Sequence, residues 1–117
     1  MFTYIEKIIL GLSYYEHEPL YMIIKILLRD YNSEANKKLI IDSLINLLKN
    51  KKITIYLDSP NINELIDNIS EEDLENYYNI NFPFDKEITN LDYEYYISAN
   101  INEEEADDEI KNTLWNI

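Results

Sequence analysis

The chain of 117 residues contains no cysteine, one glycine and one histidine. Without cysteine it can form neither a disulfide nor a thiolate metal site, which suits a reducing compartment. With Gly11 as its sole glycine, it has no glycine-rich phosphate loop and no nucleophile elbow, because both motifs need more than one glycine. No apolar run reaches the roughly 18 residues of a membrane span, and Glu6 and Lys7 interrupt the first apolar stretch, unlike in a signal peptide. The sequence therefore predicts a soluble, cytoplasmic protein without a membrane partner.

Positive charge is scarce in the second part of the chain. Residues 1–52 carry eight Lys/Arg and six Asp/Glu, whereas residues 53–117 carry seventeen Asp/Glu against Lys86 and Lys111. The two parts contribute +2 and −15, which sum to the net charge of −13. A field of this size accelerates encounter with cationic molecules and opposes binding to phosphate. The charge asymmetry therefore indicates a basic partner.

Apolar residues at helical spacing predict three helices in the near-neutral first part. The second of these is apolar almost all round, so we expect it at the centre of the core. Pro19 suits the first position of this helix, and Ser33 suits the N-cap of the third. The predicted helices are Phe2–Leu12, Leu20–Asp30 and Ser33 to about Asn50.

Alternation with a period of two predicts two strands in the acidic part, Ile53–Asp58 and Tyr93–Ser98. They would pair antiparallel, with a large insertion between them. Within the insertion, Ser70 is a good N-cap with Asp73 three residues on, which predicts a helix. The elements predicted besides the strands are a short helical piece at Asn63–Asp67, a helix from Glu71 to about Tyr78, a loop at Asn79–Asn90 and a last helix from about Glu103 to Trp115.

Three helices followed by two antiparallel strands is the element order of a winged-helix domain. Over about residues 18–58, the passage from the third helix into the first strand resembles the winged-helix pattern, in which a recognition helix enters the major groove of DNA. The sequence therefore predicts one α+β domain, residues 1–117, of winged-helix type. It would have a three-helix core, a two-stranded hairpin with a helical insertion, and a C-terminal helix.

The winged-helix resemblance implies that four residues, Lys37, Lys38, Asn46 and Lys49, would face nucleic acid. Asp42 lies on the same face, no arginine is there to read guanine, and the net charge is −13. Contact with DNA through Lys37 and Lys38, as in a winged-helix transcriptional regulator, is therefore the less favoured alternative to a protein partner.

The stretch from Ser70 to Asn102 has a helix that opens with S-x-E-[DE], a loop with aromatic residues and proline, and a strand that contains YY. In these features it is similar to a group of small acidic winged-helix-like proteins that occur beside secreted toxins and look like cognate immunity proteins. The resemblance implies direct binding and neutralisation of a toxin in an interbacterial competition system, such as contact-dependent growth inhibition. A nuclease toxin is the expected target, because a cleft that holds phosphates is cationic and an acidic protein docks onto it quickly.

The predicted partner-binding residues belong to the inserted helix, the loop after it and the second strand. Their carboxylates would meet the basic surface, and their tyrosines would be aromatic anchors, a residue type enriched in interface hot spots. The competing interpretation is that the acids form a solvated face and the tyrosines pack inward. The set comprises Glu71, Glu72, Asp73, Glu75, Tyr77, Tyr78, Asp85, Glu87, Asp92, Glu94 and Tyr96.

Catalysis, cofactor binding and metal binding are not expected from the sequence. His17 lies between Glu16 and Glu18 and is expected to be exposed, and nothing marks a serine as its nucleophilic partner. The run EEEADDE lacks the alternating acids and the central glycine of a calcium loop. Two further binding functions stay open: a DNA mimic that inhibits a nucleic-acid-binding protein, and an adaptor whose strand edge pairs with another chain.

Overall fold

The structure is a computed structural model and describes residues 1–30, 36–59, 62–66, 70, 72–76 and 94–116. Helices and an antiparallel sheet alternate along the chain, which confirms the predicted α+β class. The elements are α1 (Tyr4–Leu12), β1 (Glu18–Pro19), α2 (Leu20–Asp30), α3 (Lys37–Lys49), β2 (Ile53–Ser59), β3 (Ile62–Ile66), α4 (residues 72–76), β4 (Glu94–Ala99), α5 (Asp108–Lys111) and a 3₁₀ turn (Thr113–Asn116).

A capping box fixes the start of α1 two residues later than predicted. The Thr3 hydroxyl accepts a hydrogen bond from the Glu6 backbone N–H at 3.2 Å, and the Glu6 carboxylate accepts one from the Thr3 backbone N–H at 2.9 Å. The two side chains thereby satisfy backbone donors that the first turn leaves without helical partners.

The predicted range of α2 is confirmed at Leu20–Asp30, but Pro19 lies outside the helix. Glu18 and Pro19 form the two-residue strand β1, which pairs with Ile97 and Tyr96 of β4. Proline has no N–H to donate and is tolerated at the edge of a sheet. Proline at position 19 is therefore as compatible with an edge strand as with the first residue of a helix.

The helix α3 starts at Lys37 and is capped by Asn36, whose side chain accepts from the Leu39 N–H at 2.9 Å. The predicted cap, Ser33, lies outside the described residues. At the other end Lys51 has a φ of 60°, and its N–H donates to the Leu48 carbonyl at 3.0 Å.

The Lys52 N–H donates to the Leu47 carbonyl at 2.8 Å, which completes a Schellman motif after α3. Asn100, at the end of β4, donates its backbone N–H to the Lys52 carbonyl at 2.7 Å and its side-chain amide to the Lys51 carbonyl at 2.8 Å. These bonds tie the end of α3 to the sheet.

The sheet has the order β1–β4–β2–β3, with all neighbouring strands antiparallel. The predicted pairing of the two strands is confirmed, in a register that runs from Ile53 opposite Ala99 to Asp58 opposite Glu94. The predicted helical piece at Asn63–Asp67 is wrong, because this segment contains most of β3. Only residues 60 and 61 separate β2 from β3, and the two strands pair as a hairpin. The spacing of the apolar residues in this segment fits a helix as well as a strand, and the pairing with β2 favours the strand.

The core lies between the first three helices and the inward face of the sheet. Ile55 of β2 and Ile97 of β4 are opposite each other in register and are fully buried. Leu74 of α4 and Ile110 of α5 join the same cluster, so the acidic part of the chain also contributes to the core. None of the helices in the described ranges combines the length and the apolar character that crossing a membrane requires.

The predicted last helix, Glu103–Trp115, is wrong in extent, because the segment forms a turn, the four-residue α5 and a 3₁₀ turn. The Asn102 side chain accepts from the Glu105 N–H at 2.8 Å, and the Asp107 side chain accepts from the Ile110 N–H at 3.0 Å. Short polar side chains that bond the backbone in this way favour turns and helix starts over a continuous helix. The acids at 103–105 therefore precede the helix instead of forming its first turn.

Candidate interaction surface

The inserted helix α4 exposes the predicted acids and buries one leucine. The Ser70 hydroxyl accepts from the Asp73 N–H at 3.0 Å, which confirms Ser70 as the N-cap. Glu72, Asp73 and Glu75 are exposed, whereas Leu74 is 2% exposed and belongs to the core. One buried side chain thus holds a short helix that carries three carboxylates towards solvent.

Of the other predicted contact residues, the structure describes the backbone of Glu94 and the whole of Tyr96. Glu94 is in β4, directly opposite Asp58 of β2 in the register. The remaining predicted residues lie outside the described part of the chain: Glu71, Tyr77, Tyr78, Asp85, Glu87 and Asp92.

Tyr96 belongs to an aromatic cluster on the sheet that sequence reasoning did not assemble. Its ring stacks on that of Tyr56, the residue opposite it in register, with centroids 5.6 Å apart and planes inclined by 13°. The exposed His17 ring meets both tyrosines edge-on, at 5.7 Å from Tyr56 and 5.5 Å from Tyr96. Strand alternation places Tyr56 on the face opposite the core and was the one available signal. The contact with His17 depends on the path of the chain before β1.

Carboxylates flank this aromatic cluster at its β1 side. Glu16 is exposed and Glu18 is half-buried next to β4. Burial raises the pKa of the Glu18 carboxyl, and the negative charge of Glu16 raises it further, while His17 opposes the shift. The exposed carboxylate of Glu16 therefore lies next in the chain to the His17 ring of the aromatic cluster.

The acids of the last segment are bound to lysines to a large extent. Lys7 of α1 lies 2.8 Å from the Asp107 carboxylate and 3.1 Å from that of Glu109. Lys52 lies 2.5 Å from Glu105, and Lys111 lies 3.7 Å from Glu103. Part of the charge excess that the sequence assigned to a partner thus attaches the last segment to the near-neutral part of the protein.

These ion pairs shift the pKa values of their members. The Lys52 hydrogen bond holds the pKa of Glu105 below its ordinary range. The Lys7 hydrogen bond does the same for Asp107, where the backbone N–H of Ile110 adds to the effect. The two carboxylates in turn raise the pKa of Lys7.

The lysines proposed to face nucleic acid do not form an open basic face. Lys38 pairs with Asp42 one helical turn on, at 3.2 Å. Asn46 donates its side-chain amide at 2.7 Å to the carboxylate of Glu6, which is 4% exposed. The Asn46 amide is therefore bound to a buried carboxyl group and is not free to read a base.

The described surface presents carboxylates on α4 and a cluster of aromatic rings on the sheet. Among the described residues, no group of three or more acids or histidines is arranged to hold a metal ion. Comparison with models of protein families, with curated proteins and with solved structures gave no match.

Proposed function

We propose that this chain is an immunity protein that binds and neutralises a basic toxin domain, most readily a nuclease, in the cytoplasm of the cell that makes it. The proposal holds that the protein acts by binding, without catalysis. The observation that carries it is the α4 segment, where the buried Leu74 fixes a helix whose exposed residues are acidic.

The placement of these acids supports a role in binding. Glu72 and Glu75 are three residues apart and are therefore neighbours on one face of the helix. Neither carries an ion pair among the described residues, in contrast to the acids of the last segment. Exposed carboxylates on a helix accelerate association with a cationic surface and are neutralised by it.

We further propose that the fold is a winged-helix variant. In support, α1, α2 and α3 precede β2 and β4, which pair antiparallel as wing strands would. The insertion between these strands contains β3, which widens the sheet, and α4, which bears the acids. The insertion would then replace the DNA-binding role of a wing with recognition of a protein.

Binding to nucleic acid is the weaker alternative on charge. At a net charge of −13 the chain repels phosphate, and Lys38, one of the two lysines that would contact DNA, is paired with Asp42. A gel shift with double-stranded DNA that disappears on exchanging Lys37 and Lys38 for alanine would favour the regulator over the immunity protein.

The test is the rate of association with a candidate toxin domain, chosen from the genes that neighbour the one for this chain, measured by stopped flow at low and high salt. Raising the salt from about 0.01 M to about 1 M shortens the Debye length from about 30 Å to about 3 Å. We expect the association rate to fall by about tenfold or more. A rate that does not change with salt would contradict binding through the acidic surface.

A matched pair of charge reversals separates the position of a charge from the total charge. Glu75→Lys on α4 and Asp42→Lys on α3 change the net charge equally, and both original side chains are exposed. Glu75→Lys should slow association severalfold at low salt, while Asp42→Lys should leave it nearly unchanged. Equal effects would mean that only the net charge matters. Equal inhibition of unrelated nucleases would favour a DNA mimic over a cognate immunity protein.

A further inference from the structure

Three large apolar side chains are exposed where the end of α1 meets the last segment. Tyr15 is 58% exposed, Leu114 is 42% exposed, and Trp115 is 81% exposed. The Tyr15 hydroxyl donates to the Lys111 carbonyl at 3.0 Å, which places Tyr15 beside the last turn of α5, just before Leu114 and Trp115. We refer to Tyr15, Leu114 and Trp115 as the Trp115 patch. Tryptophan and tyrosine are the residues most enriched among interface hot spots.

The backbone that carries this patch is firmly held. Gly11 of α1 lies so close to Thr113 that a β-carbon at Gly11 would be 2.0 Å from the Thr113 hydroxyl oxygen. Ile110 is fully buried, and Lys7 binds Asp107 and Glu109. An aromatic anchor on an ordered segment loses little conformational entropy when it binds, so it can contribute most of its contact energy to affinity.

The surroundings of the patch determine which partner it fits. Glu104 and Asp108 are exposed in the same segment, and no ion pair holds them among the described residues. An apolar centre with a charged rim is the usual build of a protein interface. A second copy of this chain is a poor occupant, because each copy carries a net charge of −13 and the two rims would repel each other.

We propose that the Trp115 patch is the apolar anchor of the contact with the basic partner, with Glu104 and Asp108 as its acidic rim. This inference rests on the proposed function and adds a contact surface separate from α4. In this arrangement the acids of α4 accelerate encounter, whereas Trp115 slows dissociation, because buried anchors act mainly on the dissociation rate.

The experiment uses the full chain and the same candidate toxin domain. Sedimentation velocity first shows whether a complex forms, and calorimetry then compares Trp115→Ala with Leu39→Ala. Leu39 is also exposed, at 37%, but lies on α3. Trp115→Ala should weaken binding by about 30-fold or more, the scale of a hot spot, whereas Leu39→Ala should change it by less than about threefold. Both variants should unfold at nearly the wild-type urea concentration, because neither side chain is buried.

Trp115 is the sole tryptophan, so quenching of its fluorescence by acrylamide, a neutral molecule that the acidic rim does not repel, gives a second readout. We expect strong quenching in the free chain and protection in the complex. If the complex forms but Trp115 stays open to acrylamide and Trp115→Ala binds as the wild type does, the patch assignment is wrong and the proposed function stands. If no complex forms, both fall. If the free chain sediments as a dimer with Trp115 protected, the patch binds a second copy and the inference is overturned.

Discussion

Replacing Gly11 with alanine tests a close contact between α1 and the last segment. A β-carbon at this position would lie 2.0 Å from the Thr113 hydroxyl oxygen, 2.4 Å from the Thr113 β-carbon and 2.7 Å from the Ile110 carbonyl oxygen. Two of these three atoms are backbone or directly attached to it, so no change of rotamer relieves the overlap. Ordinary contacts of a β-carbon begin at 3.4 Å. The last segment would therefore have to retreat from α1 by about 1 Å or more.

The sign of the effect is diagnostic. In a helix that is free of contacts, alanine is more stable than glycine by about 1 kcal/mol. Overpacking of a close contact costs about 1–3 kcal/mol, and overlaps this deep belong at the upper end. We expect a net loss of about 2 kcal/mol in the free energy of unfolding, the difference between these two terms. With a urea m-value of about 2 kcal/mol per molar, the midpoint should fall by about 1 M.

The assay is urea unfolding followed by far-ultraviolet circular dichroism. A double-mutant cycle with Thr113→Gly removes two of the three overlapping atoms, so Gly11→Ala should cost at least about 1 kcal/mol less in that background. If Gly11→Ala is neutral or stabilising in the wild type, α1 and the last segment do not approach as described. The inference that α1 holds the backbone of the Trp115 patch would then be wrong as well.

Three further changes probe the same structure. Lys51→Gly should raise the free energy of unfolding by about 1 kcal/mol, because Lys51 has a φ of 60°, where glycine has no steric penalty. An unchanged urea midpoint would argue against the Schellman motif. Leu74→Ala should lower the free energy of unfolding by about 2–4 kcal/mol, because it leaves a cavity in the core. Glu75→Ala should change that free energy by less than about 0.5 kcal/mol. Similar losses for the two variants in chemical denaturation would mean that Leu74 does not anchor α4. Because the pKa of Asp107 is lowered in the folded state by Lys7, its contribution to stability is present above the unfolded pKa of about 3.9 and is lost as the pH falls through the folded pKa. Lys7→Met should raise the pKa of Asp107, measured by NMR titration, and should reduce the steepness with which stability falls at acidic pH, whereas an unchanged titration would exclude the ion pair in solution.

Local patterns predicted the elements whose period is unambiguous. The range of α2 follows from its continuous apolar residues, and the pairing of β2 with β4 follows from strict alternation around Ile55 and Ile97. The N-cap at Ser70 was also readable, because capping acts over three residues and depends on little else. Interactions between residues that are close in the chain can therefore be predicted from the local sequence.

The errors arose where two local interpretations had similar energies. The apolar residues of β3 fit a helix or a strand, and pairing with β2 decided between them. The acids from Glu103 onward suit the start of one helix. The side chains of Asn102 and Asp107 instead accept backbone hydrogen bonds at two separate points, so a turn and a short helix form in place of one long helix. A hydrogen bond to a cap or to a neighbouring strand contributes about 1 kcal/mol, which is enough to choose between states that differ by less.

The sequence by itself determined the α+β class, the negative field of the second part and the solvent-facing acids of α4, because composition and short-range periodicity carry that information. Only the tertiary structure decided which acids are bound to lysines and which meet solvent. Lys7 and Asp107 are 100 positions apart in the chain, yet they lie 2.8 Å from each other. The need for glycine at Gly11 has the same origin. It follows from how closely α1 and the last segment pack, and no local pattern records the distance between two segments that meet only after folding.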